Sequence, residues 1–369
     1  MEMASLIYVA MSGGVDSSVA AALLKKEGYR VVGVFFKPWS PGSGETAKFG
    51  TSGLTAHCNW QADRLDAMRV CAKLGIEFKT WDFSKEYGEK VAKYMIDGYR
   101  AGITPNPDVA CNKEIKFGLF LKKALAEGAD FIATGHYARI TKNEKRITLY
   151  KAKDPNKDQT YFLWTLMQDQ LKHVLFPIGG YTKPEVRQLA KKFGLPNHAK
   201  KDSQGVCFVG ELDMKDFLKE FIKPQPGEIR LISPPSPSYG KRGTEGAILG
   251  THEGASYYTI GQRHGLNITN GKGPYFVASK DIKKNIVYVS KFRMTNDEFR
   301  INEINWINDQ NKFPLKAKIK IRYRTEEIPA EILKSGEIKF KKPVVALTLG
   351  QSAVIYKGEE VLGGGIINS

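Results

Sequence analysis

Leu6-Ile7-Tyr8-Val9-Ala10-Met11-Ser12-Gly13-Gly14-Val15-Asp16-Ser17-Ser18 is the stretch that decides how the first half of the chain folds. Its first six residues form an apolar run of strand length, and a helical pattern follows from Val15 to about Glu27. Between them, two consecutive glycines let backbone N–H groups turn toward one point with no Cβ in the way. That point is a helix N-terminus, where orphan donors and the positive end of the dipole attract phosphate. Ser12, Ser17 and Ser18 can add hydroxyl donors, and Asp16 can hold Mg2+ directly or through water. The turn lacks the lysine of GxxxxGK[ST] and the glycine spacing of GxGxxG. A plain helix cap would need neither two glycines nor three serines, so the sequence predicts a phosphate cradle.

Outward from this turn the alternation of strand and helix continues. Val31–Phe36 is a second apolar run, a helical pattern covers Asp63–Leu74, and Glu77–Phe83 is β-like. Helical patterns near Glu86–Arg100 and Glu114–Glu127 precede Asp130–Thr134, which ends at Gly135-His136. Repeated β-α units of this kind predict an α/β domain with a parallel sheet covered on both faces and ligands at the carboxyl ends of its strands. Residues 38–58, rich in Gly, Ser, Thr and Pro, are expected to form a mobile loop. Segment 159–222 has a mainly helical pattern, broken by Gly179-Gly180 and Pro196. Proline and glycine crowd 224–246, the mark of a linker or a loop-rich small domain. From Phe276 short strands dominate, at Asn285–Ser290, Ala317–Arg324, Ile328–Leu333, Val344–Leu349 and Ala353–Tyr356, which predicts a small barrel or sandwich. The expected division is an α/β domain over 1–210, a small central loop-rich domain over 211–280 and an all-β barrel over 281–369.

At 369 residues the chain exceeds one ordinary core, and 42% hydrophobic content excludes wholesale disorder. No run approaches the roughly 20 apolar residues of a membrane span, and no export signal precedes the first glycines. Four cysteines cannot form a disulfide scaffold in a chain of this length, so a cytoplasmic, reducing compartment is expected. The 56 Lys+Arg against 39 Asp+Glu give a net charge of +17, which favours a polyanionic partner such as nucleic acid, or serves solubility alone.

Two cysteine-bearing loops carry candidate chemistry. In Thr104-Pro105-Asn106-Pro107-Asp108-Val109-Ala110-Cys111-Asn112, two prolines stiffen the backbone, and Cys111 is expected just before a helix that Asn112 caps, beside Lys113. A helix N-terminus and a nearby cation both favour the thiolate, and Asp108 on the same loop is a candidate general acid/base. In Asp202-Ser203-Gln204-Gly205-Val206-Cys207-Phe208-Val209-Gly210-Glu211 a cysteine flanked by glycines suits an exposed tip. Their separation fits neither a CxxC motif nor a zinc knuckle, and Cys58 and Cys71 are expected to be structural. In Lys316-Ala317-Lys318-Ile319-Lys320-Ile321-Arg322-Tyr323-Arg324 every second residue is basic, so a strand would place five cations on one face, as a phosphate-tracking stripe or an ordinary solvated face.

The segment SGGVDSS resembles the PP-loop of the N-type ATP pyrophosphatases, which cleave ATP between its α and β phosphates. With TPNPDVACNKEIKFG, ATGHYAR, KDQTYFL, KKDSQGVCFVGE, YTIGQRHGL, GQSAVIY and LGGGII in this order, the whole chain is similar to the tRNA-specific 2-thiouridylase family. The resemblance implies that Ala10, Met11, Ser12, Gly13, Gly14, Val15, Asp16, Ser17, Phe36 and Gly135 contact ATP, with Mg2+ accompanying it at Asp16. Phe36 stands where relatives often have Met, a change that a backbone contact to adenine tolerates. It further implies that Asn106, Pro107 and Asp108 hold the target uridine. Cys207 would carry a persulfide and Cys111 would be the second catalytic thiol, the two closing a transient disulfide. His136, Lys157, Asp158, Gln159, Arg322, Tyr323 and Gln351 would touch tRNA. The partners implied are the tRNA anticodon stem-loop and a persulfide or sulfur-carrier donor protein, with no membrane and no permanently bound metal or organic cofactor.

The chemistry of the residues agrees with that expectation. The C2 oxygen of uridine is a poor leaving group until AMP is transferred to it, which explains ATP and Mg2+. Sulfur could then arrive by direct attack of a Cys207 persulfide, or as sulfide released when Cys111 attacks Cys207. A small-molecule adenylating ligase shares the glycine turn but gives the two cysteines and the basic strand no task. A non-catalytic RNA binder, or a thiolase acting at another base, also remains open at this point.

Overall fold

Side chains of β1 (Leu6–Met11) divide by parity: Ile7, Val9 and Met11 enter one core, whereas Tyr8 enters another. A computed structural model describes residues 4–37, 39, 60–143, 146–202, 214–232, 245–308, 311–345 and 347–368, and this split organises the first part of it. After α1 (Val15–Lys26), β2 (Arg30–Lys37) repeats the pattern, with Val31 and Phe35 on the first side and Val32, Val34 and Phe36 on the second. α2 (Trp60–Leu74) joins α1 on the first side through Ala67, Val70 and Cys71. β3 (Glu77–Asp82) is followed by α3, a continuous helix over 84–100 that contains a wide π-type stretch at Gly88–Ala92. A second such helix, α4, runs over 107–126 with its wide stretch at Asn112–Phe120. Both cover the Tyr8 side with Tyr87, Met95, Ile115 and Phe120. Each fully buried side chain of this size contributes about 1.5–3 kcal/mol, so both sheet faces hold the layers together.

β4 (Phe131–Ala133) pairs parallel with β1. A hairpin of β5 (Arg139–Lys142) and β6 (Ile147–Tyr150) then leaves the domain, and the chain returns at β7 (Val174–Leu175). The parallel sheet has order β3-β2-β1-β4-β7. Segment 159–222 is therefore less helical than its pattern suggests. Val174 pairs with Ile132, and among the described residues of the segment α5 (Lys183–Lys192) and α6 (Met214–Phe221) are the helices of two or more turns. An apolar dipeptide buried at a sheet edge gives no periodicity by which to recognise it.

The central part is a sheet of order β10-β11-β8-β9, built from β8 (Gly227–Ile232), β9 (Glu245–His252), β10 (Phe276–Asp281) and β11 (Ile286–Ser290). The last part contains β12 (Thr295–Trp306), β13 (Leu315–Lys320), β14 (Ile328–Ile332), β15 (Glu337–Val345), β16 (Ser352–Lys357) and β17 (Glu360–Asn368). Pairing of β12 with β17 closes β12-β15-β14-β13-β16-β17 into a barrel around Ile301, Ile319, Ile332, Ile338 and Ile355. β6 pairs with β17 through Tyr150 and Glu360, so the α/β part and the barrel share a sheet. Two barrel strands differ from expectation. The pairing register of β12 shifts at Asn296/Glu298 and at Asn302/Asn305, which breaks the alternation that would reveal it, and the strand expected at Val344–Leu349 is the end of β15, which stops at Val345. No helix among the described residues is long and apolar enough to cross a membrane.

Candidate active site

The glycine turn follows β1 directly. Gly13 has φ +73°, and a Cβ there would lie 2.2 Å from the Asp63 carbonyl oxygen of α2, a combination only glycine satisfies. Gly14 is the N-cap residue of α1 and offers no capping side chain, so the N–H groups of Val15, Asp16 and Ser17 stand as first-turn donors. Ser17 Oγ and Ser18 Oγ donate to the Gly14 carbonyl at 3.2 and 2.8 Å, and the Ser12 N–H donates to Ser17 Oγ at 3.2 Å. Gly135 forms the facing wall, since a Cβ there would meet the Ser17 nitrogen at 2.6 Å. These two loops follow the adjacent strands β1 and β4, between which the strand order reverses, where open parallel sheets receive ligands. Phosphate fits this cradle, which a Cβ on Gly13 or Gly135 would distort. Ala10 and Met11 end β1, while the Phe36 ring is committed to the core edge-on to Phe83 (5.4 Å) and Phe120 (4.8 Å).

Asp16 accepts hydrogen bonds from the Tyr137 hydroxyl at 2.9 Å and from the Lys183 ammonium at 2.7 and 2.9 Å. Lys183 also reaches Asp202 at 2.8 Å, where Lys157 (2.6 Å) and Arg187 (2.7 Å) converge. Burial acts to raise the Asp202 carboxyl, but Lys157 and Lys183 outweigh it and carry the pKa down to about 2. Asn197 Nδ2 donates to the Gly13 carbonyl and to Ser18 Oγ, both at 2.9 Å, while its buried Oδ1 has no hydrogen-bond partner among the described residues. Lys200 ties Asp63 to Asp66 at 2.7 Å each. No group of three or more metal-ligating side chains occurs among the described residues. Lys183 holds both Asp16 oxygens and Tyr137 one of them, so Asp16 is open to an ion arriving with phosphate only once Lys183 moves away.

The loop from Thr104 departs from expectation in where its helix starts, and that start leaves Cys111 inside the helix and not at its N-terminus. Its helix begins at Pro107, and Asn106 is the cap, its Oδ1 accepting the Val109 N–H at 3.2 Å. Proline at the first helical position presets φ and Asn106 satisfies an orphan donor, so the start moves ahead of Asn112. Asn112 instead lies inside the helix and donates to the Phe162 carbonyl at 3.1 Å. Asp108 is in the first turn and partly exposed, whereas Cys111 is fully buried in the core that also contains Phe36 and Phe120. Both other parts of the chain hold this loop. Gln351 Nε2 donates to the Thr104 and Pro105 carbonyls at 2.8 and 3.1 Å, the Thr104 N–H donates to the Leu349 carbonyl at 2.9 Å, and the Thr104 and Thr259 hydroxyls meet at 3.3 Å.

Several residues expected at an RNA surface have protein partners here. Asp158 is buried and accepts from the Ala152 N–H at 3.0 Å and the Thr160 hydroxyl at 2.9 Å, with Lys320 3.7 Å away. Gln159 Oε1 accepts the Tyr137 N–H at 2.9 Å. His136 is buried with Nδ1 2.7 Å from Thr134 Oγ1, and burial aided by Lys116 holds its pKa well below the ordinary histidine value. Arg322 donates to the Ile260 carbonyl at 2.9 Å, and the Tyr323 ring packs 4.5 Å from Phe162. The basic strand ends at Lys320, not Arg324, and Arg324 takes φ +60°. Strict alternation therefore fails past Lys320. Lys316, Lys318 and Arg324 are exposed, whereas Lys320 and Arg322 are turned into contacts with the rest of the chain.

Cys71 is fully buried and burial pushes its thiol up to about 12, as suits an inert core residue. Cys207 and Cys58, and most of the loop expected at 38–58, lie outside the described residues. Sequence patterns did not single out Lys183, Tyr137 or Asn197. The one local signal was the capping box of Thr182 and Glu185, which marks the start of α5 but not what Lys183 reaches, 167 positions away on Asp16.

Family models match in three successive blocks: a tRNA methyl transferase HUP domain over residues 5–211, a tRNA methyl transferase PRC-barrel domain over 215–291 and an aminomethyltransferase beta-barrel domain over 296–367. The tRNA-specific 2-thiouridylase MnmA of Bacillus licheniformis is 44% identical over 373 residues, covering 98% of this chain and 94% of the relative. MnmA 2 of Geobacillus kaustophilus is 43% identical over 371 residues with the same coverage of each chain. Among solved structures, NMN synthetase from Francisella tularensis matches with TM-score 0.32 at 14% identity, over 58% of this chain and 72% of that one. A 4-thiouridine synthetase in complex with RNA and bound ATP matches with TM-score 0.33 at 19% identity, over 56% and 46%.

Proposed function

This chain belongs to the tRNA-specific 2-thiouridylase family, and from that premise we propose how its residues place sulfur at C2 of the wobble uridine, position 34, of tRNA. It is a tRNA sulfurtransferase that uses ATP. The turn from Ser12 to Ser17 receives the β and γ phosphates, with Ala10, Met11, Phe36 and Gly135 around the rest of the nucleotide. Mg2+, when bound with ATP, offsets phosphate charge, and Asp16 is the carboxylate that would hold it.

Asn106, Pro107 and Asp108 hold the target uridine, with Asp108 as general acid/base. The uridine C2 oxygen attacks the α-phosphorus, pyrophosphate leaves, and C2 becomes open to substitution. Cys207 carries a persulfide delivered by a donor protein. In one route its terminal sulfur attacks C2 and expels AMP, after which Cys111 attacks the Cys207 sulfur and leaves the new sulfur on the base. In the other, Cys111 attacks first and the sulfide released displaces AMP. Each route yields 2-thiouridine, AMP, pyrophosphate and a Cys111–Cys207 disulfide, which a cellular thiol must reduce. The two Cα atoms must then come within about 7 Å.

The observation that supports this reading best is the joint at Thr104–Cys111. The loop that presents Asp108 is held by Gln351, Leu349 and Thr259, and its helix packs Phe120 against Phe36 at the end of β2. Val109 of the substrate loop, Cys111 and Phe36 thus belong to one packed core. The test is release of AMP and pyrophosphate from ATP with and without unmodified tRNA. Release that requires tRNA, with AMP-linked RNA accumulating in Cys207→Ser, is the expected result. Release without tRNA, or turnover unchanged in both cysteine variants, would assign the chain to small-molecule ligase chemistry instead.

A further inference from the structure

The glycine turn has no lysine of its own, yet an ammonium group stands beside it. Lys183, the first residue of α5, is only 8% exposed and places Nζ on both oxygens of Asp16, the second residue of α1, where first-turn N–H groups converge. An ammonium so shielded from water acts strongly on a nearby anion. Its present partners can spare it. Asp16 keeps the Tyr137 hydroxyl at 2.9 Å, and Asp202 keeps Lys157 at 2.6 Å and Arg187 at 2.7 Å. The lysine stem is flexible, so Nζ can shift without moving the helix. The backbone beneath it is fixed by the Asp154 carboxylate, which accepts the Lys183 N–H at 2.9 Å, and by the Thr182–Glu185 capping box.

We propose that Lys183 is the cation of the pyrophosphate site, transferring from Asp16 and Asp202 to the phosphates, and that Asp202 competes with pyrophosphate for it. This rests on the assignment of the glycine turn to ATP phosphates. The competition makes a prediction that a purely structural lysine does not: removing the Asp202 charge strengthens pyrophosphate binding.

The experiment is calorimetric titration of inorganic pyrophosphate with Mg2+ into the full-length wild type, Lys183→Ala, Lys183→Arg and Asp202→Asn. Removing a charge-assisted hydrogen bond from a shielded site weakens binding about 10- to 100-fold, so Lys183→Ala should fall by that factor and Lys183→Arg should recover most of it. Asp202→Asn should bind about 2- to 5-fold more tightly, the scale of one partly exposed ion pair. Wild-type affinity in Lys183→Ala, or weaker binding in Asp202→Asn, overturns the proposal. If Lys183→Ala does not fold, the direction of change in Asp202→Asn decides alone. Failure of the wild type itself to bind pyrophosphate would remove the assignment of the turn, and this proposal with it.

Discussion

Gly13 shows how much a single position can determine. Its φ of +73° and the 2.2 Å approach of an added Cβ to the Asp63 carbonyl mean that Gly13→Ala strains the turn and pushes α2 away. The expected cost is about 1–3 kcal/mol in urea denaturation, together with loss of ATP binding in the same titration cell. Retained stability and affinity would contradict the cradle. Asp202 makes a prediction in pH. Its folded pKa of about 2 lies below the unfolded value of about 3.9, so the stabilisation is present above the unfolded pKa and is lost as pH falls through the folded one. The urea midpoint of wild type should exceed that of Asp202→Asn at pH 5, and the gap should shrink as pH falls toward 2. A gap that widened would reverse the sign. The two residues differ in legibility. Gly13-Gly14 is a local signal, because the turn needs glycine whatever else the chain does. The Asp202 cluster joins Lys157 to Lys183 and Arg187, which lie one turn apart on α5, and adjacency between segments so far apart in sequence leaves no spacing to read.

Among the elements, α4 is the one on which the chemistry turns. Replacing its cap, Asn106→Ala, should cost about 0.5–2 kcal/mol of stability and loosen the first turn that presents Asp108. Gln351→Ala releases the Thr104 and Pro105 carbonyls without touching the nucleotide crevice. Steady-state kinetics should then show a higher KM for tRNA with the KM for ATP unchanged. A change confined to ATP would mean that the clamp serves the other substrate. The proline pair announced a stiff loop, but the cap fell to Asn106 because Pro107 favours the first helical position, a choice that residue types alone left open. β13 was legible as far as Lys320, where Leu315 and Ile319 fill the barrel and Lys316 and Lys318 face out. Beyond it the chain turns, and Arg322 closes on Ile260. Period-2 patterning holds only while ladder bonds continue on both sides, and tertiary contacts end it here.

For the molecule as a whole, the α/β and barrel classes followed from periodicity, while the joint between them did not. The β5–β6 hairpin leaves the first part to pair with β17, and the connection between β9 and β10 brings Thr259 to Thr104. Such long-range pairings carry no local pattern. The net charge of +17 acts at this scale too. If five or six phosphates are neutralised across the α/β part and the barrel, the slope of log K for tRNA against log salt should be about −4 to −5. A slope near −1 would contradict an extended RNA track. The most direct test of the central claim, that two thiols relay one sulfur atom into an AMP-activated uridine, is nucleoside mass spectrometry of tRNA after reaction with ATP and a persulfide donor. The wild type should yield 2-thiouridine, and Cys111→Ser and Cys207→Ser should yield none; 2-thiouridine at wild-type level from either variant would contradict the relay.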